Sequence, residues 1–223
     1  MNIKSMPTLK AVALCAFLVL SAVPAGSTLE RLMVADFSTG LDTEGLPHGW
    51  QLNEKSGNAD FRLVRQDGLH ALNLRSEESS FSFQKRIEVD TKQYPVLSWQ
   101  WKVTKLPEGG DFRNSGKDDQ AAQLFVAFSR TKAIVYIWDT TAPVGVVGDA
   151  AAPPFFSIKA VVVRSGIEDT GQWVSEKRNI YEDYKKIFGH EPPPARGMRI
   201  QINSQHTGSA AESFFSNVTF SRS

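Results

Sequence analysis

The sequence predicts an all-β fold, an antiparallel β-sandwich of jelly-roll type with one short helix near 179–188. Three observations predict it. Apolar and polar residues alternate along many short runs, the period of a strand with one buried face. Clusters of Gly, Pro, Asn, Asp and Ser separate those runs at roughly regular intervals, as in sandwiches and barrels. Helical spacing of apolar residues is convincing in a single stretch, after residue 178.

The first run, Arg31 to Phe37, is apolar and ends at Ser38-Thr39-Gly40. A turn cluster from Gly45 to Gly49 precedes Trp50. Asp60 to Arg65 alternates, with Phe61 and Leu63 on one face. Gln66-Asp67-Gly68 is a hairpin signal, because Asp-Gly tolerates the backbone that a two-residue turn needs. Leu69 to Arg75 returns with Leu72 and Leu74 together, and Phe81 to Val89 alternates again. Pro95 opens the next strand, where a missing N–H is tolerated. Ala121 to Phe128 and Ala133 to Asp139 follow, then a small-residue surface loop, Thr140 to Pro154. Phe155 to Arg164 is strongly β-prone. Gly171 leads into Gln172 to Arg178. In the helix, Asn179 to Phe188, the side chains of Ile180, Tyr184, Ile187 and Phe188 share a face, and Gly189 stops it. Met198 to Ser204 and Ser213 to Ser221 are the closing strands.

The first residues read as an address. Lys4 and Lys10 precede an apolar run from Ala11 to Leu20, and Val23-Pro24-Ala25 supplies small residues for cleavage. This is the grammar of a signal peptide over 1–25, and it predicts a periplasmic or secreted protein. The run is shorter than a membrane span, so no membrane insertion is expected after cleavage. Gly26 to Ser223 would then form a single domain, 26–223. Cys15 is the only cysteine, and Leu14 before it does not suit lipidation. The mature chain therefore has no disulfide to rely on. Without Lys4 and Lys10 the chain has 23 basic against 24 acidic residues. That balance argues against a dedicated nucleic-acid or anionic-membrane binder.

Polar chemistry concentrates between two strands, in the loop after Pro95 to Val103. Asp111, Arg113, Asp118 and Asp119 stand there, behind Gly109-Gly110. The preferred reading is an ion-pair network in which Arg113 pins the acids. The alternative makes Asp111, Asp118 and Asp119 oxygen ligands of Ca²⁺, although the spacing is not that of an EF-hand. Otherwise no cofactor is expected. Trp99 and Trp101 alternate with polar residues and share a face with Leu97 and Val103, which favours core over an exposed sugar platform. The opposite strand faces carry the candidate ligand-binding residues: Gln100, Lys102, Gln123, Lys159, Arg178, Arg199, Gln201 and Asn203. Amides, Lys and Arg offer directional donors and acceptors to a hydroxyl-rich ligand. A merely solvated sheet face is the equal alternative. The sequence holds no G-x-S-x-G, H-E-x-x-H, P-loop or G-x-G-x-x-G motif, and its four histidines are scattered.

W-x-W at Trp99 and Trp101, P-x-G-G-D-x-R at Pro107 to Arg113 and the pair Asp118-Asp119 resemble an uncharacterised bacterial family, DUF3047. Ile134 to Trp138, Ser165-Gly166, Trp173, Arg178-Asn179, Asp183-Tyr184 and Phe188-Gly189 continue the resemblance over most of the mature chain. It implies a secreted or periplasmic protein and no assigned activity. Asn203-Ser204-Gln205 and Asn217 stand where the resemblance leads one to expect acids. The first and last runs also look like the paired end strands of carbohydrate-binding jelly rolls.

A glycan-binding module is the leading functional expectation, with a glycan as partner and no catalytic residue assigned. One alternative is a glycoside hydrolase or lyase acting on an envelope polysaccharide, with the loop supplying acid or base. A second is a non-catalytic envelope domain that binds another protein. Two carboxylates about 5 to 9.5 Å apart in a cleft favour the first alternative. A polar groove favours glycan binding, and a flat apolar patch favours a protein partner.

Overall fold

A computed structural model describes residues 30–223. The expected signal peptide, residues 1–25, lies outside the described residues. In chain order the strands are β1 (Arg31–Ala35), β2 (Gln51–Ser56), β3 (Asp60–Gln66), β4 (Leu69–Glu77), β5 (Ser80–Val89), β6 (Val96–Lys105), β7 (Ala122–Ala127), β8 (Lys132–Asp139), β9 (Val147–Asp149), β10 (Ser157–Ser165), β11 (Val174–Asn179), β12 (Ala195–Asn203) and β13 (Ala210–Ser221). One helix, α1 (Ile180–Phe188), lies between β11 and β12.

The strands form two sheets packed as a sandwich. One has the order β11-β6-β13-β4-β3, with β1 also paired to β13, and the other runs β2-β5-β12-β7-β8-β10-β9. The first and last strands meet as the sequence leads one to expect: Met33 lies opposite Thr219 and Ala35 opposite Val218. One pair departs from the antiparallel expectation. β10 runs parallel to β8, in a register that sets Ile158 beside Ala133. The segment from 140 to 156 carries the chain back to the starting end of the sheet, and such a crossover makes a parallel neighbour. β9 forms within this expected loop and adds to β10.

Alternation explains the core. Leu97, Trp99, Trp101 and Val103 of β6 face Tyr136 and Trp138 of β8, and all six are buried. Trp99 lies 5.3 Å from Tyr136 and Trp101 lies 5.9 Å from Trp138, centroid to centroid. Contacts of this kind are worth more than their buried area alone. The two tryptophans are thus core. The Asp67-Gly68 turn has φ of 53° and 81°, the left-handed pair that suits a two-residue hairpin. Asn179 caps α1 by accepting from the Glu182 N–H at 3.0 Å. Gly189, at φ 77°, closes the other end by donating to the Lys185 carbonyl.

Candidate functional site

The outward face of the seven-stranded sheet divides into two chemical halves. Leu124, Val126, Ile200 and Ile202 point into the core, so the residues between them on β7 and β12 point out. On β2, β5 and β12 these outward residues are hydroxyls and amides, Asn53, Ser82, Gln84 and Gln201 among them, together with Arg86 and Arg199. On β8 and β10 they are Val135, Ile137, Ile158 and Ala160. β7 lies between, carrying Gln123 for one half and Phe125 for the other. Two hollows, of about 380 and 310 Å³, lie along this boundary and share Phe125, Phe156, Ile158 and Arg199. They form one groove.

Loops build its apolar wall. Phe112 packs with Phe125, Val135, Ile137, Ala160 and Val162, and Val146 and Ala150 cover the same cluster. Gly148 lets this happen, because a Cβ there would lie 3.0 Å from the Phe112 ring. Asp139, at the end of β8, is fully buried and accepts backbone N–H bonds from Phe112, Thr141 and Ala142 at 3.0, 2.9 and 2.8 Å. Burial raises its pKa, and those three donors counter the shift. It ties the loop before β7 to the loop after β8. Neither Phe112 nor Asp139 stands out as a site residue in the sequence. The available signal is an Asp closing an apolar strand just before Thr140-Thr141, a setting for side-chain-to-backbone turns.

Arg199 lies on the groove floor. Its guanidinium carbon is 3.7 Å from the centroid of Phe125. Burial lowers its pKa to about 10, and among the described residues no carboxylate forms an ion pair with it. Asp118 lines the other end and accepts from the Gln120 amide at 3.0 Å, while burial raises its pKa. Asn203 is already engaged. It accepts from the Gln120 N–H and the Gln123 amide and donates to the Asp118 carbonyl.

Four of the eight candidate ligand-binding residues share this groove: Gln123, Arg199, Gln201 and Asn203. The other four do not. Gln100 and Lys102 lie on the outer face of the other sheet. Gln100 bonds Ser175 and Asn217, and Lys102, only 3% exposed, lies between the Trp173 and Phe214 rings with Asp67 at 3.4 Å. Arg178 stands opposite core residue Leu97, so it points inward, and it forks onto Asp183 at 2.9 and 2.6 Å. Lys159 shares its strand face with buried Val161 and pairs with Asp149 at 2.6 Å. β10 has apolar residues on both faces and β11 has only Val174, so neither pattern tells which face is inward.

The central loop also differs from expectation. Arg113 holds Asp111 alone, through Nε at 2.8 Å and Nη2 at 2.6 Å. Asp118 turns to the groove. Asp119 is fully buried, accepting from the Thr207 N–H at 2.7 Å and its hydroxyl at 2.8 Å. The three acids diverge, so they do not make the Ca²⁺ site considered for them. Among the described residues no three His, Cys, Asp or Glu side chains gather as metal ligands. Nor, among those residues, is any helix long and apolar enough to cross a membrane.

The xyloglucanase domain of NopAA, a type three effector from Sinorhizobium fredii, in complex with cellobiose, has a similar structure, with 11% identity, TM-score 0.49 and coverage of 78% of this chain and 93% of that one. A family 11 carbohydrate-binding module of a Clostridium thermocellum cellulosomal cellulase gives 8%, 0.45, 87% and 95% in the same order. An endoglucanase from Rhodothermus marinus gives 8%, 0.46, 85% and 99%. At such identities the likeness is one of fold alone. No curated protein matches the chain by sequence. The family described as "Protein of unknown function (DUF3047)" matches residues 48–219, and the chain belongs to that family.

Proposed function

We propose that this protein is a glycan-binding module of the periplasm or cell exterior, and that the glycan lies in the groove of the seven-stranded sheet. One observation carries the reading: the groove floor is amide and hydroxyl on one side and apolar on the other. A sugar ring has the same division, with hydroxyls at its edge and C–H groups on its faces. Amides satisfy the first and aromatic or aliphatic surface covers the second. Phe156, 43% exposed, lines both hollows. Phe155 beside it is 97% exposed and holds φ 71°, a conformation that costs a bulky residue energy. The Phe156 ring offers stacking surface in the groove.

Binding is favoured over cleavage by the acids. Asp118 is the one carboxylate among the described groove-lining residues, whereas glycoside cleavage ordinarily takes two. Asp111 is committed to Arg113, and Asp119 is sealed beneath Thr207. Affinity gel electrophoresis of the mature chain against a panel of soluble plant and bacterial polysaccharides tests the reading. At least one polymer should retard it, and Phe156→Ala should weaken that binding at least tenfold with the melting temperature unchanged. A panel without any retardation, or retardation indifferent to Phe156, would remove the groove from consideration.

A further inference from the structure

We propose that the glycan is acidic, and that Arg199 takes its carboxylate groups in the larger hollow; this rests on the glycan-binding reading above. Elsewhere the chain matches its partly buried arginines. Arg164 bonds Glu176 and Asp169, each at 2.7 Å, and Arg178 forks onto Asp183. Arg199 has no carboxylate partner among the described residues, yet it sits on the floor where both hollows meet. One face of its plane is covered by the Phe125 ring at 3.7 Å. Such a contact leaves the N–H edge free to bond in the plane, and that edge matches a carboxylate in bidentate fashion. A desolvated cation without a partner costs stability, and a site of this kind persists where a ligand supplies the missing charge.

The surroundings agree. The 380 Å³ hollow is lined by Arg86 and Arg130 as well as Arg199, and by no carboxylate. Among the described residues neither Arg86 nor Arg130 forms an ion pair, and both are exposed at the rim. Lys85 and Lys132 border the same hollow, but their ammonium groups turn away, to the Val34 carbonyl and to His190. The smaller hollow balances Lys55 against Asp118. Positive charge is therefore concentrated at one end, where Gln84, in register beside Arg199, and Gln51 next to it add amides. The mature chain's near-neutral balance makes this local excess the exception rather than a general basic surface.

Polygalacturonate, dextran sulfate and neutral hydroxyethylcellulose, each tested with the mature chain at two salt concentrations, examine the proposal. Polygalacturonate should bind at least tenfold more tightly than hydroxyethylcellulose, and that advantage should shrink as salt rises. Arg199→Gln should remove the advantage, so that polygalacturonate and hydroxyethylcellulose bind that variant alike. Arg199→Lys, which keeps the charge but not the fork, should restore only part of it. The melting temperature of Arg199→Gln should stay close to that of the unaltered chain, because only the contact with the Phe125 ring is lost and no carboxylate partner; a fall as large as that of Arg178→Ala would mark Arg199 as structural and overturn the proposal. Equal affinity for acidic and neutral polymers, or an acid preference that survives Arg199→Gln, overturns it too. Tighter binding to dextran sulfate than to polygalacturonate overturns the assignment to carboxylate. Binding of neutral polymers alone removes this inference and leaves the glycan reading standing, whereas no binding to any polymer removes both.

Discussion

Arg178 and Arg199 are the same residue in two regions, and their difference separates the part of this protein that is closed from the part that is open. Each projects from a strand and each rests near an aromatic ring, Tyr136 at 5.8 Å and Phe125 at 3.7 Å. At the sandwich edge Arg178 meets Asp183 of α1, and the Tyr136 hydroxyl donates to the same carboxylate at 2.7 Å. The Asp183 bond raises the Arg178 pKa, whereas burial without a partner lowers that of Arg199. The first cation is stabilised by the fold around it. The second is tolerated by the fold, a cost that the proposed acidic ligand would relieve. Lys102, with Asp67 and two rings around it, belongs with Arg178.

Removing the partnered arginine should cost the most stability. Arg178→Ala leaves Asp183 with only the Tyr136 hydroxyl at a largely buried position. A fully buried pair broken from one side costs about 3 to 5 kcal/mol. Arg178 is partly open to solvent, so a loss of about 2 kcal/mol is expected in a denaturant melt. A double-mutant cycle with Asp183→Asn should give a coupling above about 1 kcal/mol. A coupling near zero would mean that Arg178 is no better matched than Arg199. Lys102→Met comes next. Methionine keeps much of the stem packing but loses the charge over the Trp173 and Phe214 rings and the long bond to Asp67. A loss of about 1 kcal/mol is expected, and a gain would place Lys102 beside Arg199 instead.

The residues most legible in the sequence are those whose signal is local. Trp99 and Trp101 read as core because Leu97 and Val103 flank them at period two. Asp67-Gly68 reads as a turn, and Asn179 and Gly189 as the ends of a helix, because each of those roles is decided within a few bonds. The groove is another matter. Its floor joins β12 to β7, segments about 75 residues apart, and its two-sided chemistry depends on which strands neighbour them. Alternation put Gln123, Arg199, Gln201 and Asn203 on outward faces, but it gave no reason to separate them from Gln100 and Lys102 on the other sheet. Lys159 and Arg178 lie away from the groove for a different reason. Their strands lie toward sheet edges, where residues on the inward side reach past the core to Asp149 or to α1. Phe112 and Asp139 were hidden because a buried loop anchor has no periodicity at all. The loop acids were visible as charges, yet their divergence was set by backbone geometry that spacing does not carry. Gly110, for example, must be glycine because a Cβ would fall 2.4 Å from the Asp119 carbonyl oxygen.

The smallest expected effect lies in that loop, and it tests whether partnership alone or partnership with burial makes a cation structural. Arg113 has a forked partner, as Arg178 does, but it is nearly half exposed. Its bond holds the Asp111 pKa down at about 2. A carboxylate whose pKa is depressed on folding contributes stability that is present above its ordinary value near 3.8 and is lost as pH falls through about 2. Asp111→Asn should therefore change the melting temperature slightly at pH 6, and the difference from the unaltered chain should vanish between pH 4 and about pH 2. Because the pair faces water, salt should diminish the effect, and it should stay well below the loss from Arg178→Ala. An Asp111→Asn loss that matched Arg178→Ala and resisted salt would show that the fork suffices without burial. Arg199, partly buried without a fork, would then differ from Arg113 and Arg178 by its missing partner alone.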